Sequence, residues 1–414
     1  MSTTRHRAPK IAFYGEFGTG NLGNDASLLA AVDALRTQDP DLEIICLCDA
    51  TDVIAERYGF RTLPIRKPAS WERSRRRGRV VRVGRRVKDV VRIFRLMRWA
   101  DAVIVPGMGV LEAGSARAGA LPSELLMLAV TARLARARFA VVSVGADEAF
   151  RRSTKTVLRW MLRLSSYRSF RDAHSRRCAV DFGAPCAEDP VYPDIVFGLD
   201  IPVEAADLPR RKSVGVGMIA YGAAFSRNEK IHRDRVMATY LETVTSFVAW
   251  LHERGFFVTL LTGDRKDKDI AEMVLERLSG RAPTASIEIK DSESFDDLIG
   301  HMRQVDYVIG SRYHNIIAAA LLAKPVISID YMPKNGELMS GMGLGRFHQK
   351  LHSVNEERLR HQFADLDRSS LEVADILTAK SLEYRDLVHN QWTTLMAVLT
   401  SSGGRRIDDR THAS

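Results

Sequence analysis

Residues Tyr307 to Lys334, read YVIGSRYHNIIAAALLAKPVISIDYMPK, constrain the fold more than any other stretch of this chain. The pattern is strand, four-residue polar turn, all-apolar helix, strand, and a second polar turn. It predicts a βαβ unit in which both turns follow the carboxyl end of a buried strand. Open parallel sheets place their ligand groups there. Ser311, Arg312 and His314 fall in the first turn, and Asp330 and Lys334 in the second. Two cations and an imidazole at the mouth of one βαβ unit point to an anionic ligand, above all a phosphate.

The same alternation extends over the chain. IAFYG (11–15), LEIICLCDA (42–50), ADAVIVPG (100–107) and FAVVSVGA (139–146) read as strands, with helices in ASLLAAVDALRTQ and SELLMLAVTARLARA. RSFRD (168–172) and the region of Asp189 and Pro190 read as short strands. The polar stretch 201–212, with two prolines, reads as a linker. SVGVGMIAY (213–221) then restarts the pattern, with helices near 233–254, 268–279 and 296–304 and strands at 256–263 and 285–291. The expected fold class is α/β: two Rossmann-like domains in a glycosyltransferase-B-like architecture, with the site in a cleft between them. The expected divisions are an N-terminal domain over 1–200, the linker, a C-terminal domain over 213–370, a helix over 371–400 and a disordered tail over 401–414.

Bulk properties exclude several classes. With 414 residues and a hydrophobic share of 45%, the chain suits two domains with ordinary cores. No apolar run approaches the roughly 20 residues that a membrane span needs. MSTTRHRAPK at the start lacks the apolar stretch of a secretory signal, so the expected compartment is the cytoplasm. Cys46, Cys48, Cys178 and Cys186 show no CxxC spacing and read as reduced, buried thiols, with no zinc site.

Gly18-Thr19-Gly20-Asn21-Leu22-Gly23 matches the G-x-G-x-x-G dinucleotide fingerprint, after a strand and before a helix. A nicotinamide or flavin reading is therefore open. Against it, Asn21, Asn24 and Asp25 crowd the helix start, and a carboxylate there opposes a pyrophosphate that would seek amide N–H groups. Asp25 better suits sugar hydroxyls or a base. A plain glycine turn, with Asn24 or Asp25 capping the helix, is the structural alternative.

In Gly310-Ser311-Arg312-Tyr313-His314, Ser311 is the expected N-cap, and free N–H groups and the helix dipole favour an anion. Arg312 can hold a phosphate or carboxylate through two parallel hydrogen bonds. A helix N-terminus lowers the pKa of His314 and a bound phosphate raises it, so its imidazole is suited to proton transfer near neutrality. Pro333 keeps Met332 extended, so the chain is not expected to continue as helix there. Lys334 offers a mobile charge to the phosphate. In Tyr167 to Asp172, Phe170 and Arg171 alternate, one toward the core and one toward the site. Surface ion pairs and solvated side chains are the bland readings of these cations.

These elements together resemble the polysaccharide pyruvyltransferases. The family's opening glycine loop is matched by Gly15 to Ala26, its V-R-D-x-x-S element by Phe170 to Ser175, its S-R-x-H by Ser311 to His314, and its D-Y-x-P-K turn by Asp330 to Lys334. The matches run in order across most of the chain. The resemblance implies transfer of pyruvate from phosphoenolpyruvate onto two hydroxyls of one sugar as a cyclic ketal, on a glycosyltransferase-B fold and with no metal or other cofactor. Its donor-binding residues carry over onto Arg171, His314 and Lys334; Ser311 and Arg312 join them on their chemistry. His314, with Asp25, would carry the proton transfers, and Gly20, Asn21, Gly23, Asn24 and Asp25 would face the acceptor. Asn24-Asp25 stands where Asp-Glu is usual, and Gly107-Met108-Gly109 where paired glycines are, so the acceptor side departs from the family. A nucleotide-sugar glycosyltransferase and a non-catalytic relative are the competing functional readings.

The net charge of +10 is uneven: residues 66–98 hold 14 Lys/Arg against 2 Asp/Glu, so the remainder of the chain is slightly acidic. Within 73–99, Val80, Val83, Val87, Val90, Phe94 and Met97 fall on one helical face among arginines. Such a helix suits an anionic membrane surface at the inner face of a cell membrane, where a lipid-linked acceptor would be met. A helix packed on the first domain is the alternative. Nucleic acid is disfavoured, because only Trp71, Phe94 and Trp99 supply aromatic rings.

Overall fold

The computed structural model describes residues 9–65, 79–111, 121–148, 151–202, 212–220, 227–263, 265–279 and 286–400, and of 79–87, 227–231 and 265 the backbone alone. The first part of the basic segment, most of the expected linker and the tail 401–414 lie outside the described residues. The chain divides into two compact units: Met1–Thr19 with Asn24–Leu199 and Asp386–Ser414, and Gly20–Gly23 with Asp200–Arg385.

The first unit is built on β1 (Lys10–Tyr14), α1 (Leu22–Gln38), β2 (Glu43–Leu47), α2 (Thr51–Tyr58), β3 (Arg61–Leu63), α3 (Arg79–Trp99), β4 (Ala102–Pro106), α4 (Leu121–Ala135), β5 (Arg138–Val144), α5 (Arg152–Leu164), β6 (Tyr167–Phe170) and α6 (Ala173–Asp181). Its six strands pair in the order β3-β2-β1-β4-β5-β6, parallel throughout. Every residue of β4 is buried, as a strand covered on both faces must be. The order reverses between β1 and β4, so the loops after these strands open the crevice in which such sheets bind ligands.

The second unit repeats the plan with β7 (Ser213–Gly217), α7 (Arg227–Glu253), β8 (Phe257–Thr262), α8 (Arg265–Ser279), β9 (Ile287–Asp291), α9 (Phe295–Arg303), β10 (Tyr307–Gly310), α10 (Tyr313–Leu321), β11 (Val326–Asp330), α11 (Pro333–Gly341), β12 (His348–Lys350) and α12 (Glu356–Arg368). The order β12-β11-β10-β7-β8-β9 is again all parallel, with its switch point between β7 and β10. The βαβ unit expected over Tyr307–Lys334 is β10-α10-β11. Eight of the nine residues of α10 are buried, in keeping with the apolar run from Ile316 to Leu321.

The last helix, α13 (Ser370–Thr400), contributes residues up to Arg385 to the second unit and the rest to the first. In the first unit Gln391, fully buried, donates to Ser143 Oγ at 2.9 Å and Ser169 Oγ at 2.7 Å. It thereby joins β5 and β6 through groups that would otherwise be unsatisfied inside the core.

Several local expectations change. Residues 51–63, without elements in the sequence reading, form α2 and β3, whose short length leaves little periodicity to read. Met332 is extended (φ −125°, ψ 145°), as a residue before proline should be, yet Pro333 opens α11 at its first turn. Proline fits there because that position needs no N–H partner. Arg171 does not alternate with Phe170 in burial: Phe170 is fully buried and Arg171 only 6% exposed. Among the described side chains of α3, residues 88–99, Ile93 and Met97 are buried, while Val90 on the predicted stripe is exposed. The Arg92 guanidinium donates to the Ile65 carbonyl and pins this end of the helix. Among the described residues no helix is long and apolar enough to cross a membrane.

Candidate functional site

In the second unit, adjacent parallel strands β10 and β11 each deliver a helix N-terminus, α10 and α11, at the carboxyl edge of the sheet. Ser311 is not the N-cap of α10. That position is Arg312, extended at φ −100° and ψ 147°, without a side-chain cap. The buried Ser311 hydroxyl instead shares a 3.1 Å hydrogen bond with the Tyr240 hydroxyl from α7. Burial pushes the Tyr240 phenol up to about 12, so it stays protonated.

The paired hydrogen bonds expected of Arg312 toward an anion are made within the protein. Its Nε and Nη2 donate to the two carboxylate oxygens of Asp267, the latter at 2.8 Å. Asp267 lies in the first turn of α8 and is fully buried; it also accepts the Ala220 N–H at 2.9 Å, just beyond β7. The guanidinium plane is therefore fixed from behind, with the arginine side chain 31% exposed.

Lys334 brings the second turn to the first. Its Nζ lies 5.5 Å from the centroid of the Tyr313 ring, and the His314 imidazole stands edge-on to that ring at 5.4 Å. Two positive N-terminal ends, an ammonium and an imidazole thus meet around one aromatic side chain. Asp330 is buried beside them and accepts the Gly336 N–H at 3.3 Å, closing the first turn of α11. Burial lifts its carboxyl to about 7, against the opposing pull of the Gly336 and Asn335 amides and of Lys334 and Lys350. His348 Nε2 lies 3.7 Å away, its own pKa lowered chiefly by burial.

Gly20–Gly23 belong to this second unit. Gly20 takes a left-handed φ of 90°, and Asn21 Oδ1 accepts the Gly23 N–H at 3.2 Å. A Cβ on Gly23 would stand 1.9 Å from His314 Nδ1. Only glycine permits this approach of backbone to imidazole.

In the first unit Asp25, 2% exposed, accepts the Gly18 N–H at 2.7 Å, with Tyr58 Oη at 3.5 Å and Arg57 Nη1 at 3.9 Å from its other oxygen. Burial raises its pKa against these three. Gly18 is left-handed at φ 71°, so Asp25 holds a turn that needs glycine. The Asn24 amide donates to the Glu16 carbonyl at 3.3 Å. Arg171 follows β6, with Asp172 and Asp194 carboxylates 3.6 and 3.7 Å from its guanidinium. Both acids also accept backbone N–H groups, Asp172 from Ser175 and Asp194 from Val196.

Asp267, Tyr240 and Asp194 were not singled out by sequence reasoning. Each lies far along the chain from its partner, and a single Asp or Tyr carries no spacing signal. Glu148, His174 and Cys178, not grouped by sequence reasoning, have potential ligand atoms that lie within 4.8 Å of one another. His174 and Cys178 stand one helical turn apart on α6, and Cys178 Sγ is 3.4 Å from His174 Nε2. Burial, reinforced by Glu148 and neighbouring aspartates, pushes the Cys178 thiol up to about 11. All four cysteines are free and buried.

Comparison with solved structures places the fold. A UDP-GlcNAc 2-epimerase from Neisseria meningitidis solved with UDP-GlcNAc superimposes with a TM-score of 0.62 at 9% identity, over 95% of this chain and 99% of that one. A glycosyltransferase from Rickettsia africae gives 0.62 at 11% identity, over 96% and 100%. The Anabaena protein HepE, solved with UDP and glucose, gives 0.59 at 12% identity, over 95% and 100%. At such identities the likeness is one of fold, and the fold is that of the glycosyltransferase-B enzymes and the related epimerases. No curated protein sequence matches the chain. The sequence model of the polysaccharide pyruvyl transferases matches residues 21–332, which include the glycine-loop residues from Asn21 onward, Arg171, and the turn of Ser311 to His314. The chain belongs to the polysaccharide pyruvyl transferase family.

Proposed function

We propose that this enzyme transfers the pyruvyl group of phosphoenolpyruvate onto two hydroxyls of one sugar residue, forming a cyclic ketal and releasing phosphate. Family membership implies a pyruvate donor and a polysaccharide acceptor. The observation that carries the finer reading is the meeting of Lys334 and His314 around Tyr313, at the N-termini of two adjacent helices. That arrangement suits a phosphate ester better than a neutral sugar.

In this reading Lys334 and the amides opening α10 and α11 hold the donor phosphate, with Ser311 setting the turn. Arg312, oriented by Asp267, faces the donor's negative charge, and Arg171 is carried over as a donor residue. His314 gives a proton to the methylene carbon, leaving positive charge on the adjacent carbon. A sugar hydroxyl bonds to that carbon and passes its proton to the His314 imidazole, which the first step left neutral. The second hydroxyl then displaces phosphate, which departs with the second proton. Donor and diol thus become ketal and inorganic phosphate in balance.

The acceptor is assigned to the glycine loop, with Gly20 and Asn21 at its exposed tip and Gly23 against His314. Asn24 and Asp25 act in this reading by holding the loop: Asp25 is bound to Gly18 N–H, and its role passes from base to scaffold. The acceptor class is a sugar of a polysaccharide or of a lipid-linked glycan precursor.

The test is phosphate release from phosphoenolpyruvate in the presence of candidate glycans. Release coupled to ketal formation supports the proposal. Thermal stabilisation by nucleotide sugars, with none by phosphoenolpyruvate and no turnover of it, would replace it with a glycosyltransferase reading.

A further inference from the structure

We propose that the outer face formed by α3, α4 and α5 is a docking surface for an anionic lipid bilayer, with Trp160 as its aromatic anchor. Three observations carry this, and none depends on the pyruvyl-transfer reading.

The first is charge. The three helices hold 13 Lys/Arg and 2 Asp/Glu, a net +11, whereas the whole chain carries +10. Outside these helices and the basic segment 66–78, which has 6 Lys/Arg against 1 Asp/Glu, the chain is net acidic. α4 packs between α3 and α5, so they form one layer on the first sheet. The two acids are each engaged. Glu124 is taken up by the Tyr14 hydroxyl at 3.0 Å, and Asp89 stands 3.7 Å from Arg92 on its own helix. α5 has no acid at all.

The second is exposed apolar surface on the same three helices. Val90 and Val91 on α3, Val130 and Leu134 on α4, and Trp160 on α5 are all exposed, Leu134 at 69% and Trp160 at 48%. A single exposed valine needs no explanation. Aliphatic and aromatic side chains set among arginines on one layer do, since such patches mark interaction sites.

The third is the setting of Trp160. The Arg159 and Arg163 guanidinium carbons lie 5.9 and 5.5 Å from its ring centroid. A tryptophan bracketed by arginines has the composition of a headgroup-level anchor: the ring enters the interface while the cations meet lipid phosphates. α5 is amphipathic, with Leu158, Met161 and Leu162 buried and Arg152, Thr156, Trp160 and Arg163 exposed. Nucleic acid would match the charge but has no use for Leu134 and Val130. The basic segment before α3 extends the same charge along the sequence.

The experiment is sedimentation of the full chain with vesicles of phosphatidylcholine alone or mixed with phosphatidylglycerol. Binding is expected only to the mixed vesicles and should weaken as salt rises. Arg159→Glu with Arg163→Glu is expected to lower the partition coefficient by at least the roughly fivefold per charge that a basic residue near an acidic leaflet contributes. Trp160→Ala should lower it without changing the salt dependence. Arg277→Glu, an exposed charge reversal on α8 in the second unit, should leave it unchanged. All variants alter exposed or half-buried side chains, and an unchanged melting temperature verifies their folding. Equal binding to neutral and anionic vesicles, equal weakening by the Arg277 change, or retention by polyphosphate or duplex DNA but not by vesicles would overturn the proposal. Phosphate release from phosphoenolpyruvate with a soluble glycan is unaffected by these substitutions, so docking and chemistry fail or stand separately.

Discussion

Arg312 presents its guanidinium from a fully buried carboxylate, Asp267, which grips both Nε and Nη2 and is itself braced by the Ala220 amide. The pair joins the start of α8 to the start of α10 at the carboxyl edge of the second sheet. A cation fixed in this way keeps its orientation without a ligand, which lowers the ordering cost of binding one.

Breaking this pair from either side has different consequences. Arg312→Ala leaves a buried carboxylate unpaired and should destabilise the second unit by about 3 kcal/mol or more. Asp267→Asn keeps an acceptor for the Ala220 N–H and should cost less stability, yet free the guanidinium to rotate. Its expected signature is a raised KM for phosphoenolpyruvate with a melting temperature nearer the parent than that of Arg312→Ala. Steady-state kinetics and thermal melts of the two variants check this.

Gly23→Ala is expected to remove activity without unfolding the protein. The new methyl group would occupy space now held by the His314 ring. A displacement of about 1 Å at a reacting group is worth roughly 100-fold in rate. The loss should appear in kcat, because the groups on α11 that the proposal gives to phosphate binding are untouched. An alanine variant with parental kcat would show that the imidazole can yield at no cost.

Asp330 predicts a pH dependence of stability. Its carboxyl is raised from 3.8 to about 7, chiefly by burial. The folded state therefore holds the proton more tightly than the unfolded state does. Stability should fall as pH rises from about 4 to about 7, with the penalty complete above that window. At ~1.4 kcal/mol per pH unit the penalty amounts to a few kcal/mol at most. Asp330→Asn keeps an acceptor for Gly336 and removes the titration, so its melting temperature should exceed the parent's at pH 8 and converge with it near pH 4.

The thiols should be inert in the native protein. Burial pushes Cys48 up to about 12 and Cys178 and Cys186 up to about 11, and lifts Cys46 further still. Alkylation by iodoacetamide at pH 8 should label the native chain negligibly and all four cysteines in denaturant, as mass spectrometry would read.

The sequence carried the architecture because the strands are buried on both faces and therefore read as unbroken apolar runs, as in VISID and AVIVP. It carried the two basic turns because Arg312, His314 and Lys334 lie within a few residues of strand ends. What it did not carry was partnership. Asp267 lies 45 residues before Arg312, and only the sheet order β10-β7-β8 brings the start of α8 near the start of α10. Ser311 looked like a cap because serine usually caps, but the Tyr240 hydroxyl, 71 residues earlier, captures it. Pro333 looked like a stop because proline breaks helix interiors, whereas here it begins one. Of the apolar stripe read over 80–97, the described part shows Met97 buried and Val90 exposed, with Ile93 beside the stripe taking the buried place.

The central claim is that Lys334 and His314 form the donor site for phosphoenolpyruvate. Phosphate release from phosphoenolpyruvate, with a glycan acceptor and the ketal followed by NMR, tests it most directly. His314→Ala and Lys334→Ala should each abolish release, with Lys334→Ala also losing the thermal stabilisation that phosphoenolpyruvate gives the parent enzyme. Full turnover in both variants would contradict the account.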